Sequence, residues 1–231
     1  MEIPAAPITY VPHPALPRLR PFIRRFMVGA CDADVTFRPA PTGYCYLGRI
    51  FGTGDMFAVV DGKQIINASR WNVSGQIYKG DVEVRCEAGS VQVVGEFTAS
   101  GFHRLLHMKG SLITDLAVDI ATINPSLHAR LASGFGDPGD ETARLGSVAA
   151  RLESLVVDAL PPNKLIEAAV AEIEASNGTQ RVSAIAEALN VSERHLAREF
   201  TDIVGISPKY FGQVRQINYA LEILYTDEAL L

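Results

Sequence analysis

Apolar residues follow one spacing in the first half of this 231-residue chain and another in the second half. From about residue 31 to residue 100, short runs rich in β-branched and aromatic residues are separated by turn residues, a pattern typical of antiparallel strands. The runs are VTFRP, YCYLGRIF, MFAVV, KQIINA, NVSGQIY, VEVRC and VQVVGEF. Asp61 and Gly62 form a two-residue hairpin signal between two of them. The pattern predicts an antiparallel barrel or sandwich.

From about residue 101 the apolar residues recur at helical spacing. We predict helices at about 102–108, 112–123, 143–160, 163–177, 182–190, 192–204 and 208–225. The helix at 143–160 carries one apolar stripe, which packs either inside the monomer or against a second subunit of a homodimer. The segment GFGDPGDET at 134–142 is the clearest break in the chain.

A strand-rich half followed by a helical half predicts an α+β protein with two domains. We assign residues 1–133 to a β-rich sensing or dimerisation domain, 134–162 to a linker and connecting helix, and 163–231 to an all-α domain. Residues 1–30 are rich in proline and arginine and allow two interpretations. They form a basic arm, or a leading segment whose arginines face water while its apolar residues pack on the next domain; we favour the second. The apolar residues concerned are Leu19, Phe22, Ile23, Phe26 and Met27.

The formal net charge of −5 argues against a non-specific binder of polyanions, although it leaves room for a local basic surface. No apolar run reaches the roughly 18 residues that a membrane helix needs. The start, MEIPAAPITYVPHP, lacks the features of a signal peptide, so we expect a cytoplasmic protein with no membrane partner. Three widely spaced cysteines suggest neither a disulfide framework nor a zinc site.

The stretch ALNVSERHLAREF at 188–200 has the layout of a helix-turn-helix. Asn190 tolerates the left-handed turn that this motif requires, and Ser192 can cap the second helix. Leu196 and Phe200 lie four residues apart on its inner face. The remaining positions face outward near the start of the helix, the end that enters the major groove. They include Arg194, Ala197 and Arg198, and arginine matches guanine and phosphate well.

Residues 164–231 resemble the first half of the DNA-binding domain of AraC/XylS-type transcriptional regulators. The matching residues are Ala186, Ser192, Leu196, Arg198, Phe200, Gly205, Ser207, Pro208, Arg215, Ala220 and Leu221. The resemblance implies that Arg194, Ala197 and Arg198 touch base edges, while His195 lies against the backbone or the core edge. We add Ser192 and His195 to the DNA-binding candidates and expect Lys209 and Arg215 to contact phosphates.

The upstream segments PALPRLRPFIRRFMV, VQVVGEFTASGFHRLLH and LITDLAVDI resemble the N-terminal domain of an AraC-like subgroup. In this family the usual sensing domain is a cupin-like β-barrel. The resemblance therefore implies an antiparallel, cupin-like barrel with flanking helices in front of an all-α helix-turn-helix domain. The implied function is a sequence-specific transcription regulator that responds to a small-molecule effector.

Two departures from the family pattern bear on DNA binding. The family has two helix-turn-helix units, whereas this chain stops within or just after the connecting helix, so it resembles a form truncated before the second unit. Residues 164–231 also hold six Lys or Arg against ten Asp or Glu, a net charge of −4. We therefore expect weak DNA binding. The alternative is a ligand-binding or protein-interaction module whose helix pair no longer binds DNA.

The sequence carries no convincing catalytic constellation, and we predict no enzyme activity, no cofactor and no metal. None of the five histidines lies between residues 31 and 100, where the barrel of a metal-dependent cupin enzyme would need them. His103 and His107 have metal-compatible spacing but lack a third ligand. The effector class stays open. Aromatic candidates for either a pocket lining or the core are Tyr44, Tyr46, Phe51, Phe57, Trp71 and Tyr78.

Overall fold

A computed structural model describes Ile8 and residues 10–228, and it shows an α+β protein with antiparallel sheets. The remaining residues, on which the expectations about a signal peptide and the chain's end partly rest, lie outside the described part. The strands are β1 (Tyr10–Pro14), β2 (Ile23–Ala30), β3 (Val35–Phe37), β4 (Tyr46–Gly52), β5 (Met56–Val60), β6 (Lys63–Ile65), β7 (Trp71–Ser74), β8 (Val82–Cys86), β9 (Ser90–Phe97) and β10 (Ala117–Asp119). The helices are α1 (Gly101–Leu106), α2 (Ile120–Ile123), α3 (Pro125–Ala132), α4 (Glu141–Leu155), α5 (Lys164–Ala175), α6 (Val182–Ala188), α7 (Glu193–Val204) and α8 (Pro208–Glu228).

The strands form two separate antiparallel sheets. One has the order β1-β2-β9-β4-β7-β10 and the other the order β3-β8-β5-β6. Within residues 10–228 no strand joins the two sheets into a ring, so the predicted closed barrel is wrong in this respect. A barrel and a two-sheet arrangement impose the same alternation along each strand, and the sequence pattern could not separate them.

The six-stranded sheet lies between helices and the smaller sheet, and its side chains alternate between these two sides. Trp71, Val73 and Val93 point to the main apolar core, which also contains residues of α1 and α4. Their neighbours in sequence, Asn72 and Gln92, line a cavity that residues of the four-stranded sheet close from the other side. The two faces of this sheet therefore differ in polarity as well as in position.

The leading segment joins the fold and forms two strands that the sequence did not predict. Its apolar residues Leu19, Phe22, Ile23 and Phe26 are buried, in agreement with the favoured interpretation. Its four arginines are all exposed, as expected, and Arg24 and Arg25 in addition pair with the buried carboxylate of Glu96. Such pairs depend on residues far apart in sequence, and local patterning does not reveal them.

The helix predicted at 112–123 is mostly absent. A single 3-10 turn at Gly110–Leu112 is followed by β10, which pairs with β7, and only then by the short α2. Asp119 caps α2 by accepting a hydrogen bond from the amide of Ala121. Pairing with the sheet edge thus overrides a helical spacing that spans few residues.

The glycine-rich break at 134–142 is packed against the sheet. The ring of Phe135 lies 5.1 Å from that of Trp71, and Asp137 accepts a hydrogen bond from the amide of Gly52. In α4, which follows the break, Val148 and Leu152 are fully buried in the main core. The apolar stripe of this helix therefore packs inside the chain, which answers the question that the sequence left open.

A second apolar core holds α5, α6, α7 and the start of α8 together. Its fully buried members include Ile166, Ile185, Leu196, Phe200 and Phe211. Asn163 caps α5 through its side chain. None of the helices in the described part of the chain is long and apolar enough to cross a membrane.

Candidate nucleic-acid interface and ligand cavity

The turn between α6 and α7 has the geometry that the sequence predicted for a helix-turn-helix. Asn190 has a φ of 55°, in the left-handed region that asparagine tolerates better than most residues. The Ser192 hydroxyl accepts a hydrogen bond from the amide of His195 and caps α7. Gly205, with a φ of 100°, ends the helix. These residues fix where α7 begins and ends.

Leu196 and Phe200 anchor the inner face of α7 and are fully buried. Ser192, Arg194, His195 and Arg198 are exposed, and Ala197 is half-buried. The residues predicted to read DNA therefore share one open surface at the start of the helix. We call this surface, made of Ser192, Arg194, His195, Ala197 and Arg198, the α7 face.

Arg194 and Arg198 differ in their surroundings. Arg194 makes no ion pair with any other described residue. The guanidinium of Arg198 donates a hydrogen bond of 3.1 Å to the Glu199 carboxylate and lies 3.3 Å from Nδ1 of His195. An exposed pair of this kind is worth only about 0.2–1 kcal/mol, so a phosphate can displace Glu199. Arg194 is therefore the more available of the two cations.

The two predicted phosphate contacts lie in different environments. Lys209, at the start of α8, is exposed. Arg215 is half-buried, and its Nη1 donates a hydrogen bond to the Tyr44 hydroxyl at 3.3 Å. In this arrangement Arg215 serves a contact between α8 and the β-rich part, so only Lys209 is free to extend the basic surface around the α7 face.

The far end of α7 is fixed to the β-rich half. Lys109 pairs with Asp202 at 2.7 Å, and the Thr114 hydroxyl donates to the carbonyl oxygen of Gly205. A β-carbon on Gly110 would lie 2.7 Å from the amide nitrogen of Gly205, which shows how closely the two backbones approach. These contacts leave the α7 face open because they involve the opposite end of the helix.

A cavity of about 340 Å³ lies between the two sheets. The six-stranded sheet contributes the apolar side chains of Met27, Val94 and Ala117 and a larger set of polar ones, which are Arg25, Tyr46, Asn72, Ser74, Gln92 and Glu96. The four-stranded sheet contributes apolar ones, which are Phe37, Met56, Phe57, Ala58, Val82 and Val84. One wall of the cavity therefore carries most of its polar groups and the other is apolar, as in many small-molecule sites; we call the first the polar wall.

The charges at the polar wall are already paired. Glu96 is only 1% exposed, and its carboxylate accepts hydrogen bonds from Arg24 and from Arg25, the latter at 3.2 Å. The Tyr46 hydroxyl lies 3.1 Å from the same carboxylate. Burial raises the pKa of Tyr46 well above its ordinary value, and so does the negative charge of Glu96, so this hydroxyl stays protonated.

Tyr44 connects the cavity to the helical half of the chain. It lines the cavity, and its hydroxyl donates to the Glu174 carboxylate of α5 at 2.9 Å while accepting from Arg215 of α8. Its ring meets that of Phe211 edge-on at 6.3 Å, and Phe211 lies 5.6 Å from Phe200 of α7. Burial raises the pKa of Tyr44 to about 12, which keeps its hydroxyl neutral.

The other candidate residues of the sequence divide between core and surface. Tyr44, Tyr46 and Phe57 line the cavity, whereas Phe51 and Trp71 belong to the main core and Tyr78 is exposed. Among the described residues, no three His, Cys, Asp or Glu side chains come together as a metal site. His103 and His107 instead make hydrogen bonds to the carbonyl oxygens of Met108 and Asp158.

Sequence reasoning missed the polar wall of the cavity and the contact at Tyr44. The available signal was the alternation in WNVS, where Asn72 and Ser74 interleave with buried apolar residues in a strand near the centre of its sheet. In a strand covered on both sides, polar residues on one face indicate something to bind there.

Comparisons with known proteins give little for this chain. No family model matches the sequence, and no curated protein matches it. Among solved structures it is similar to the AraC-like transcriptional activator CuxR, with a TM-score of 0.31 and 10% sequence identity. That similarity covers 84% of this chain and 76% of that chain. Because a TM-score this low does not establish a shared fold, no property of that activator is carried over.

Proposed function

We propose that this chain is a cytoplasmic, non-enzymatic transcription regulator that reads DNA through α7 and responds to a small molecule bound between its sheets. The observation that supports it most directly is the α7 face. A capped helix after a left-handed turn presents Arg194 and Arg198 at its exposed start while its inner face is fully buried. This is the geometry that a reading helix needs to enter the major groove.

The surrounding charge limits the affinity that we expect. One reading helix with Arg194, Arg198 and Lys209 offers few phosphate contacts, and Glu193 and Glu199 oppose them. We therefore propose weak, sequence-dependent binding by this chain. Dimerisation through the β-rich part would double the number of contacts, and it remains a prediction.

The proposed effector response depends on Tyr44. A ligand in the cavity would contact a side chain that also holds α5 and α8 by hydrogen bonds. A ligand shifts a conformational equilibrium only through interactions that differ between the two states, and the Tyr44 hydroxyl can supply such a difference.

Selection of the chain on a random duplex library, followed by fluorescence anisotropy at two salt concentrations, tests DNA reading. We expect an enriched sequence and a loss of about 1–3 kcal/mol for Arg194→Ala, with relaxed specificity at one position. Lys209→Ala should weaken binding to all sequences and reduce the salt slope by about 1. The control is Lys63→Ala, which removes the same charge from an exposed position on the four-stranded sheet. If no sequence is enriched and binding shows no salt slope, the chain is not a DNA reader.

A second function is favoured by one observation, the net charge of −4 over residues 164–231. In that case the helix pair is a packing or interaction module, and the chain binds a ligand or a protein without DNA. The same titration decides between them, because true phosphate contacts impose a salt dependence and a packing module does not.

A further inference from the structure

The polar wall of the cavity is unusual for a sheet that is covered on both sides. Such sheets normally present apolar residues to both layers. In β7 and β9, however, Asn72, Ser74 and Gln92 face the cavity beside Val94, while Trp71 and Val93 face the helical core. Buried polar groups are retained where they have hydrogen-bond partners, so this wall is suited to a molecule that carries hydrogen-bonding groups.

Gln76 provides an independent indication. It lines the cavity, is only 3% exposed, and its Nε2 has no hydrogen-bond partner within the described residues. Its backbone carbonyl accepts a hydrogen bond from the amide of Asp115, so the unmet group is the side-chain donor alone. A turn of this amide toward the cavity would let an acceptor oxygen on a bound molecule satisfy it.

The glycine at residue 48 makes room for two further amides at the same wall. A β-carbon on Gly48 would lie 2.7 Å from Nε2 of Gln92 and closer still to Oδ1 of Asn72. The Tyr10 hydroxyl donates to Oε1 of Gln92 at 2.7 Å, which fixes that amide and leaves its nitrogen as the donor. Amide groups of Asn72, Gln76 and Gln92 therefore supply the chemistry of this wall.

The charged groups that line the cavity already pair with each other. Arg25 and Glu96 are the only charged residues among those that line it, and they are paired with each other. Tyr10 and Tyr46 keep neutral hydroxyls because burial raises the pKa of both. Transfer of an ionised group into such a site has a large desolvation penalty, which a ligand anion could offset only by drawing Arg25 away from Glu96.

We propose that this cavity binds an uncharged small molecule with an acceptor oxygen at the amide wall and an apolar face against Phe37, Met56 and Val84. The volume of about 340 Å³ lies at the lower end of the range for small-molecule sites, which suits a compound of one ring or a similar size. The inference rests on the effector role proposed above and names the class of ligand for it.

Three probes of nearly equal shape test whether the cavity prefers an uncharged ligand. They are benzamide, which is neutral, benzoate, which is an anion, and benzylamine, which is a cation at neutral pH. Saturation-transfer NMR on the full chain, without DNA, should show that benzamide binds at least about tenfold more tightly than either charged probe. Equal or tighter binding of benzoate or benzylamine would overturn the proposal, and so would the failure of all three to bind.

Two glycine variants test whether benzamide binds at this wall. Gly48→Ala pushes the ends of Asn72 and Gln92 into the cavity and should weaken benzamide at least about tenfold. The matched control is Gly95→Ala on the neighbouring strand, where a new β-carbon meets ordinary contacts at 3.4–3.5 Å on the helical face and should change binding less than about twofold. Unchanged benzamide binding by a folded Gly48→Ala variant would place the probe elsewhere and overturn the assignment.

Gln76→Leu provides a test that does not depend on the folding of the Gly48 variant. It removes the unmet donor, so we expect weaker benzamide binding together with an unchanged or higher Tm. Retained binding with a lower Tm would mean that the amide serves the fold, and the proposal would fail. Since none of these measurements involves DNA, their failure leaves the reading of DNA by α7 untouched. Loss of DNA binding in the selection experiment likewise leaves the ligand site standing.

Discussion

Tyr44→Phe isolates the contact that joins the cavity to the helices. The phenylalanine ring preserves the edge-on contact with Phe211 and the position beneath the Arg24 guanidinium, whose carbon lies 3.9 Å from the ring centre. The variant loses only the hydroxyl, which donates to Glu174 at 2.9 Å and accepts from Arg215 at 3.3 Å. The change is therefore confined to two hydrogen bonds that involve charged partners.

The size of the effect follows from the burial of the groups. A hydrogen bond to a charged group contributes about 1.5–3 kcal/mol. Tyr44 is 2% exposed, but Glu174 and Arg215 are half-buried, so water or a direct pair between them recovers part of the loss. We expect a net destabilisation of about 1–3 kcal/mol, and at this chain length each kcal/mol lowers the Tm by roughly 2–4 °C.

Urea unfolding followed by two signals measures this effect. Fluorescence of Trp71, the single tryptophan, reports on the sheet, and far-ultraviolet circular dichroism reports mainly on the helices. The matched control is Tyr78→Phe, because Tyr78 is 45% exposed and its hydroxyl makes no hydrogen bond within the described residues. That variant should change stability by less than about 0.5 kcal/mol. If Tyr44→Phe is no more destabilising than Tyr78→Phe, the hydroxyl does not hold the two halves together.

Three further predictions concern α7, its core and a half-buried histidine. Glu199→Gln frees Arg198 from its exposed ion pair and should raise DNA affinity by a factor of roughly 1.5–5 in anisotropy titrations; a fall in affinity would contradict this. Phe200→Ala leaves a cavity at a fully buried position and should lower the free energy of unfolding by about 3–5 kcal/mol. That is a large part of the roughly 5–15 kcal/mol that stabilises a typical domain. A loss below about 1 kcal/mol in urea unfolding would show that the helical core is loosely packed. Burial lowers the pKa of His103, so its protonation is less favourable in the folded state than in the unfolded state. The neutral imidazole therefore contributes to the free energy of unfolding above the unfolded pKa of about 6.5, and this contribution is lost as the pH falls below that value. His103→Gln should flatten the stability profile between about pH 7 and 5, and parallel profiles for the two proteins would refute the assignment.

Local chemistry made the turn between α6 and α7 and the bounds of α7 predictable. The left-handed turn at Asn190, the cap at Ser192 and the end at Gly205 each depend on the conformation of one residue and its immediate neighbours. The burial of Leu196 and Phe200 follows from a spacing of four residues on one helix. These features can be predicted without knowing where distant parts of the chain lie, and the structure confirms all of them.

Long-range pairing decided what the sequence could not predict. Arg215, expected at phosphates, meets Tyr44, which lies 171 positions earlier, and Glu96 pairs with arginines of a segment that carried no strand signal. The choice between a closed barrel and two sheets likewise depends on which strand edges meet. Each of these outcomes is set by the tertiary fold, on which a local pattern of residue types carries no information.

An effector response also requires that the cavity and the α7 face influence one another. Three aromatic rings connect them in contact, from Tyr44 through Phe211 to Phe200 on the inner side of α7. A row of contacts is not a coupling, because coupling requires a second arrangement of these side chains that ligand and DNA bind with different affinity. We propose that the second arrangement is one in which the Tyr44 hydroxyl releases Glu174 and Arg215, both of which it holds in this structure. By linkage, any factor by which a cavity ligand changes DNA affinity equals the factor by which DNA changes the affinity for that ligand, so a measurement of either factor tests the coupling.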